Sequence, residues 1–414
     1  MGSSKKIRIL KELKYSKKRK EGNLVKKLEG IDFFENLFKS PKNELVEKAL
    51  SEGKTAVGYN CYVVPEVLLN AGNTFGLWMT APDVTSTIQA DFYLSAVACT
   101  YCKALLQAGM DGTYEFMGAT VFAPTCDHIR RSGQHFGLQN VNSDNPKYFN
   151  YMVDSPGKKT VGTVDWFAKD LRVLADKLNE AYDTNINDET VKKSIKEFNE
   201  FNSLMKSIGD FRKGENPRIT GAEWHKIYGA SKIAPKYLLI EPLKKIKAEI
   251  EAREIEENKA IKMMVVGSTF DKYEFIELIE AQGAIVVADR YCFGSLPGME
   301  PVKEDGDPFI NIAEYYLDTC QCPRMMENGP KRIEYSKELI REYDVEGIIF
   351  QQMTFCDLWN YEGISVSRAM KKYDMPYVNI SREFTITGEG QIRTRVQAFV
   401  ESIKSKRELE LLKK

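Results

Sequence analysis

Lys262–Ser268 (KMMVVGS), Gly283–Asp289 (GAIVVAD), Glu346–Met353 (EGIIFQQM) and Pro376–Glu383 (PYVNISRE) decide the fold. Each is a short apolar run of strand length, and amphipathic stretches of helical length separate them. Four strand–helix units in a row specify an open parallel sheet with helices on both faces. No glycine-rich dinucleotide fingerprint and no phosphate loop follows any of these strands. Their ends carry Gly267-Ser268, Cys292, Cys356 and Glu383 instead.

A second α/β region lies upstream. Lys54–Asn60 (KTAVGYN) reads as a buried strand, and Pro65 opens a short helix that Gly72 stops. Thr74–Met79 reads as a second strand, and Ala90–Ala108 as a helix carrying Cys99 and Cys102. Gly118–Pro124 reads as a third strand, followed at once by Thr125-Cys126-Asp127-His128. Between the two regions the chain is helical. Phe167, Leu171, Leu174, Leu178 and Tyr182 form one stripe, and Val191, Ile195, Phe198, Phe201, Met205 and Ile208 another. Charged residues dominate Glu241–Asn258, which predicts an exposed helix. The predicted architecture is α/β, with two open parallel-sheet (flavodoxin-like) domains facing a cleft. The expected boundaries are a lysine-rich helical arm over 1–50, a first α/β domain over 51–160, a helical connection over 161–258 and a second α/β domain over 259–414.

The bulk composition excludes several classes. Of 414 residues, 43% are hydrophobic and 29% charged, an ordinary globular balance. Lys plus Arg and Asp plus Glu both number 59, so no net field attracts nucleic acid or an anionic membrane. No apolar run approaches the ~18 residues that span a bilayer. The basic N-terminus lacks the apolar core of a signal peptide, so a cytoplasmic protein is expected. There, the eight cysteines should be thiols rather than structural disulfides.

Where they fall matters more than their number. Ligands of open parallel sheets bind beyond the carboxyl ends of the strands. Cys61 and Cys126 follow the first and third strands of the first region. Cys292 and Cys356 follow the second and third strands of the last, and Cys320 and Cys322 lie on a connection there. If the two sheets face each other, these thiols converge. Placement alone leaves two readings: an iron–sulfur site, whose cysteine spacing is often wide, or buried thiols of the core. Structural zinc prefers two compact Cys-x-x-Cys knuckles, and only residues 99–102 offer one. A redox Cys-x-x-Cys wants a helix start directly after a strand.

Several segments resemble the 2-hydroxyacyl-CoA dehydratase and benzoyl-CoA reductase family. They are GYNCYVVPEVLLNAGNTFGLW (58–78), DFYLSAVACTYCKALL (91–106), FAPTCDHIRRSGQHFG (122–137), VEGIIFQQMTFCDLWNYE (345–362) and GQIRTRVQAFVE (390–401). The resemblance implies a cluster of four irons (4Fe–4S) held by Cys99, Cys126 and Cys356, with one iron left open. It is closest to the smaller, electron-relaying subunit. That implies a homologous second subunit, an ATP-dependent iron–sulfur activator protein and an acyl-CoA substrate. The reaction implied is radical (ketyl) removal of the 2-hydroxyl group to an enoyl-CoA.

The extra cysteines depart from that pattern. They resemble a sister group, homodimeric double-cubane (8Fe–9S) reductases of small molecules. On that alternative, Cys61, Cys292 and Cys320 or Cys322 join the ligands. Cys102, one helical turn from Cys99, is read as packing. Glu66 at a helix start favours the helix dipole, or else relays protons. His128 and Arg130 donate to cluster sulfide or substrate, or are solvated. Glu362, Arg382 and Glu383 lie on the cleft side of the last sheet. His135 and His225 carry no special signal.

Overall fold

The computed structural model describes residues 27–412, apart from 139–140, 143, 255–256, 296–298 and 385–387. Most of the lysine-rich arm, residues 1–26, lies outside the described residues. The chain then enters two short helices, α1 (Ile31–Leu37) and α2 (Glu44–Ser51). Asn43 caps α2 by accepting from the backbone of Leu45 and Val46, and Ile31, Phe34 and Leu37 bury one side of α1.

The first sheet holds β1 (Thr55–Tyr59), β2 (Thr74–Trp78), β3 (Ala119–Phe122) and β4 (Phe149–Met152). Between them run α3 (Glu66–Leu69), α4 (Thr100–Met110) and α5 (Asp127–Leu138). All its strands are parallel, in the order β2-β1-β3-β4. Long helices follow: α6 (Thr163–Tyr182), α7 (Asp188–Gly209), α8 (Gly221–Ile233) and α9 (Lys236–Ala252). Capping boxes start α7 at Asn187 and α8 at Thr220.

The second sheet repeats the plan. Its strands are β5 (Ile261–Gly267), β6 (Ala284–Tyr291), β7 (Gly347–Met353) and β8 (Tyr377–Arg382), parallel in the order β6-β5-β7-β8. Its helices are α10 (Glu274–Glu280), α11 (Pro308–Asp318), α12 (Gly329–Glu342), α13 (Asp357–Lys372) and α14 (Glu389–Leu411). The expected architecture of two open parallel sheets is the one observed. In each sheet the chain runs one way from the first strand to the second and the other way to the third. That reversal opens a crevice at the carboxyl ends, between β1 and β3 and between β5 and β7.

Three local expectations differ. The helix expected over 90–108 is broken: a 3-10 turn spans Ala90–Phe92, and the α-helix starts only at Thr100. The Gln107 side chain accepts from the backbone of Gln89 and Ala90, while the Cys99 N–H is taken by His128. These tertiary bonds replace the helical ladder. The helix expected to be exposed over 241–258 begins at Lys236 and buries Leu239, Leu243, Ile246 and Ile250, a stripe at spacings of four and three. Strand β4 was not anticipated, and helix α8 lies within the expected helical connection without a stripe that marked it. The α8 helix is buried almost all round, so its sequence shows no amphipathic period.

One apolar core runs through both sheets and the helices between them. Trp78 of β2 meets Phe293, just past β6, edge-on at 5.7 Å. Arg324 of the second region donates to the Ser155 and Pro156 carbonyls of the first, at 2.7 and 3.0 Å.

Candidate metal centre

Cys99, Cys126 and Cys356 share one local setting: each stands at the start of a helix. Cys99 is the N-cap of α4 and Cys356 the N-cap of α13, while Cys126 directly precedes α5. A helix start presents free N–H groups and the positive end of the peptide dipoles, which favour a thiolate. The Ile129 N–H donates to the Cys126 sulfur at 3.4 Å. Before Cys356 the backbone turns through Phe355, whose φ of 62° is left-handed. For a bulky residue this conformation costs about 1 kcal/mol or more. The turn it makes is closed by Cys356 N–H donating to the Met353 carbonyl at 3.0 Å.

The structure brings these thiols together from both sheets. The Cys99 sulfur lies 3.3 Å from the Met353 sulfur at the end of β7. Phe384 N–H donates to the Thr100 hydroxyl at 3.0 Å and ties the loop after β8 to the start of α4. Cys356 lies in electrostatic reach of Cys99, Cys292 and Cys126. Cys102, read from sequence as packing, is buried in electrostatic reach of both Cys126 and Cys99. The Cys102 thiol, together with the N–H groups of Ile129 and His128, holds the Cys126 thiol below its ordinary value against burial. Burial pushes Cys356 and Cys102 well up.

The other four thiols form an adjoining group. Tyr62 donates its hydroxyl to the Cys320 sulfur at 2.7 Å and accepts from the Cys322 N–H at 3.1 Å. The Trp359 indole donates to the Cys292 sulfur at 3.2 Å. Burial pushes Cys61 up to about 11 against the Val63 N–H and the Thr125 hydroxyl, and raises Cys292, Cys320 and Cys322 as well. Cys292 joins the groups, being in electrostatic reach of Cys61, Cys126 and Cys99.

Buried guanidinium groups surround the thiols. Arg382 is fixed by Gln351 at 2.8 Å and by the Thr269 and Glu383 carbonyls at 2.6 and 2.9 Å, and its charge is felt by Cys99 and Cys356. Burial pulls its pKa down to about 10. Arg332 clamps Glu362 through two bonds of 2.9 Å and lies near Cys320 and Cys322. Arg290 also reaches Glu362, at 3.2 Å, yet its Nε and Nη1 are buried without partners. Glu362 is therefore a clamp between two arginines.

His128 and Glu66 take other places. His128 accepts the Cys99 N–H at 3.3 Å through Nδ1, and its Nε2 lies 4.0 Å from Asp357 on the first turn of α13. It links the Cys99 loop to the α5 and α13 starts. Arg130 pairs with Asp127 at 2.8 Å in solvent. Glu66 is buried between Lys232 at 3.0 Å and Lys236 at 2.8 Å. Burial pushes its carboxyl up, but the two lysines outweigh that and hold it down at about 2. His225 is buried against Phe270 and bonds the Tyr291 hydroxyl at 2.7 Å, and burial pulls it down to about 4.

Tyr62, Trp359, Arg324, Arg332 and Cys102 were not singled out from sequence as parts of the site. Four of them carried a local signal: Tyr62 neighbours Cys61, Cys102 is one turn from Cys99, Arg324 stands two residues past Cys322, and Trp359 stands three residues past Cys356 on the same side of the helix. Arg332 carried none.

Among the described residues, no three or more His, Cys, Asp or Glu side chains are arranged to hold a single metal ion. The donors are thiols spread over several elements, flanked by buried N–H groups and arginines. That chemistry suits a multi-iron cluster, which spaces its ligands across its own width.

The fold and the thiols define a class, and comparison with known proteins names it. Residues 61–403 match the family model described as 2-hydroxyglutaryl-CoA dehydratase, D-component, and the chain belongs to that family. It is 22% identical over 372 residues to the (R)-phenyllactyl-CoA dehydratase beta subunit of Clostridium sporogenes, covering 89% of this chain and 97% of that one. It is 22% identical over 363 residues to a benzoyl-CoA reductase subunit of Thauera aromatica, covering 86% and 93%. It is 21% identical over 383 residues to the (R)-2-hydroxyglutaryl-CoA dehydratase subunit beta of Acidaminococcus fermentans, covering 90% and 98%. Among the described residues no helix is long and apolar enough to cross a membrane.

Proposed function

We infer that this chain is the iron–sulfur component of a cytoplasmic, ATP-activated 2-hydroxyacyl-CoA dehydratase-type enzyme, holding a 4Fe–4S cluster on Cys99, Cys126 and Cys356. The observation that carries this reading is the shared position of those three cysteines at helix starts of both sheets. When bound, such a cluster supplies one low-potential electron and an iron open to a further ligand.

The chain's own residues do the rest. The three helix starts present free backbone N–H groups toward the thiols. Arg382 adds a fixed positive charge beside Cys99 and Cys356. His128 holds the Cys99 loop by its N–H. The apolar side chains around Cys99, Cys102 and Met353 exclude water. Relatives named as subunits support a homologous second subunit as partner and a 2-hydroxyacyl thioester as substrate. The electron donor of this reading is an ATP-dependent activator. Anaerobic purification tests it: about four irons and four sulfides per chain are expected. Each of Cys99→Ser, Cys126→Ser and Cys356→Ser should lower them.

A second reading is favoured by one specific observation. Cys61, Cys292, Cys320 and Cys322 adjoin the first group through Cys292. A double cubane (8Fe–9S) in a homodimeric reductase would use both groups. About eight irons per chain, with loss on Cys292→Ser, would select this reading over the first.

A further inference from the structure

A small cavity lies between the first sheet and the helical connection. Its volume is about 30 Å3, room for one or two water-sized occupants. Tyr59, Tyr62, Glu66, Tyr228, Lys232 and Lys236 are among its lining residues. Glu66 sits at the start of α3, Lys232 near the end of α8 and Lys236 at the start of α9.

The charges in this wall do not cancel. One carboxylate, Glu66, faces two ammonium groups, Lys232 at 3.0 Å and Lys236 at 2.8 Å. All three side chains are at least 88% buried, with exposures of 6%, 11% and 12%. The Arg212–Asp289 pair at 2.6 Å, in electrostatic reach of Tyr228, is itself neutral. A surplus positive charge held out of water is costly unless a counter-charge accompanies it. The strain shows in Lys236, which burial pulls down to about 8 despite Glu66.

A second observation points into the same space. The Tyr59 hydroxyl lines the cavity, in a residue only 1% exposed. It lies in electrostatic and hydrogen-bond reach of Glu66, although no bond of normal geometry forms, and Glu66 Oε1 is likewise buried without such a bond. Lys236 pairs with Glu66 Oε1 at 2.8 Å outside hydrogen-bond geometry and donates to the Ser231 carbonyl at 2.9 Å.

We propose that this cavity is a binding site for a small monovalent inorganic anion of halide size, held by Lys232, Lys236 and the Tyr59 hydroxyl. One such charge neutralises the cavity, supplies an acceptor for Tyr59 and fits the volume. The site is separate from the thiols but shares a wall with them. Tyr62 lines the cavity and gives its hydroxyl to Cys320. Its occupancy does not depend on whether a cluster is bound.

Two measurements on the full chain test it together. Crystals grown in bromide should show an anomalous peak in the cavity beside Lys236. At constant ionic strength, Tm should be higher in chloride or bromide than in gluconate, which is too large to enter. In Lys236→Met the remaining pair is neutral, so the peak and the halide-specific rise in Tm should both vanish. A wild-type cavity holding only water would overturn the proposal, whatever the variant does. A bromide peak without any halide-specific rise in Tm would be an adventitious ion only, and would overturn it equally.

Discussion

The Tyr62 hydroxyl stands 2.7 Å from the Cys320 sulfur, although 258 residues separate the two. Tyr62 follows the first strand of the first sheet, and Cys320 follows α11 beside the second. The same hydroxyl accepts the Cys322 N–H. One tyrosine thus orders a cysteine pair that belongs to the other half of the molecule. In Tyr62→Phe the Cys322 N–H is left buried without its acceptor. An unpaired buried donor costs about 1–3 kcal/mol. Anaerobic urea denaturation should show a loss of that size, and an unchanged midpoint would mean that the contact contributes nothing.

Cys102 separates adjoining the site from ligating it. It lies in electrostatic reach of Cys126 and Cys99, yet inside the first turn of α4 rather than at its start. Cys102→Ala should keep its iron on the first reading, while Cys126→Ser should lose much of it. Iron assayed on the two variants side by side checks this, and equal losses would place Cys102 among the ligands.

Glu66 holds two buried cations. Glu66→Gln keeps the shape and leaves Lys232 and Lys236 unneutralised. Breaking a buried pair from one side costs about 3–5 kcal/mol. In the wild type the Glu66 carboxyl is held at about 2, against an ordinary 4.5. Its contribution is therefore complete above pH 4.5 and is lost as pH falls toward 2. Denaturation midpoints of wild type and Glu66→Gln should converge over that window. A constant gap down to pH 2 would contradict the ion-pair account.

Arg382 is a buried cation in electrostatic reach of Cys99 and Cys356. Removing a positive charge makes adding an electron harder. Arg382→Met should therefore move the midpoint potential of bound iron to more negative values, while Arg382→Lys should restore much of the difference. A redox titration followed by electron paramagnetic resonance measures both. Equal potentials in wild type and Arg382→Met would remove Arg382 from the account.

Much of this architecture was legible because parallel strands buried on both faces read as continuous apolar runs. Residues 55–59, 74–78, 119–122, 261–267, 284–291 and 347–353 were readable in this way, while 377–382, an edge strand with exposed Asn379 and Ser381, was readable from its place in the strand–helix repeat. Strand β4 was not, since Phe149–Met152 is only half-buried and lacks such a run. Helix α8 fell within the connection read as helical, but being covered on nearly every side it shows no stripe to set its bounds. The cysteines following strands were visible at once, and topology carried them to the carboxyl ends. Among their partners, Arg382 was placed on the cleft side of the last sheet, whereas Arg332 meets Cys320 and Cys322 through the tertiary fold alone. Glu66 could be placed at a helix start by its proline. The two lysines that fix its charge lie more than 160 residues away, with Lys232 separated from it by 166.

The central claim is that Cys99, Cys126 and Cys356 meet to hold iron. Iron and acid-labile sulfide per chain on anaerobically purified protein test it most directly. The account predicts about four of each in the wild type, with clear loss when any of these three cysteines becomes serine. Folded protein that carries no iron or sulfide under those conditions would contradict it.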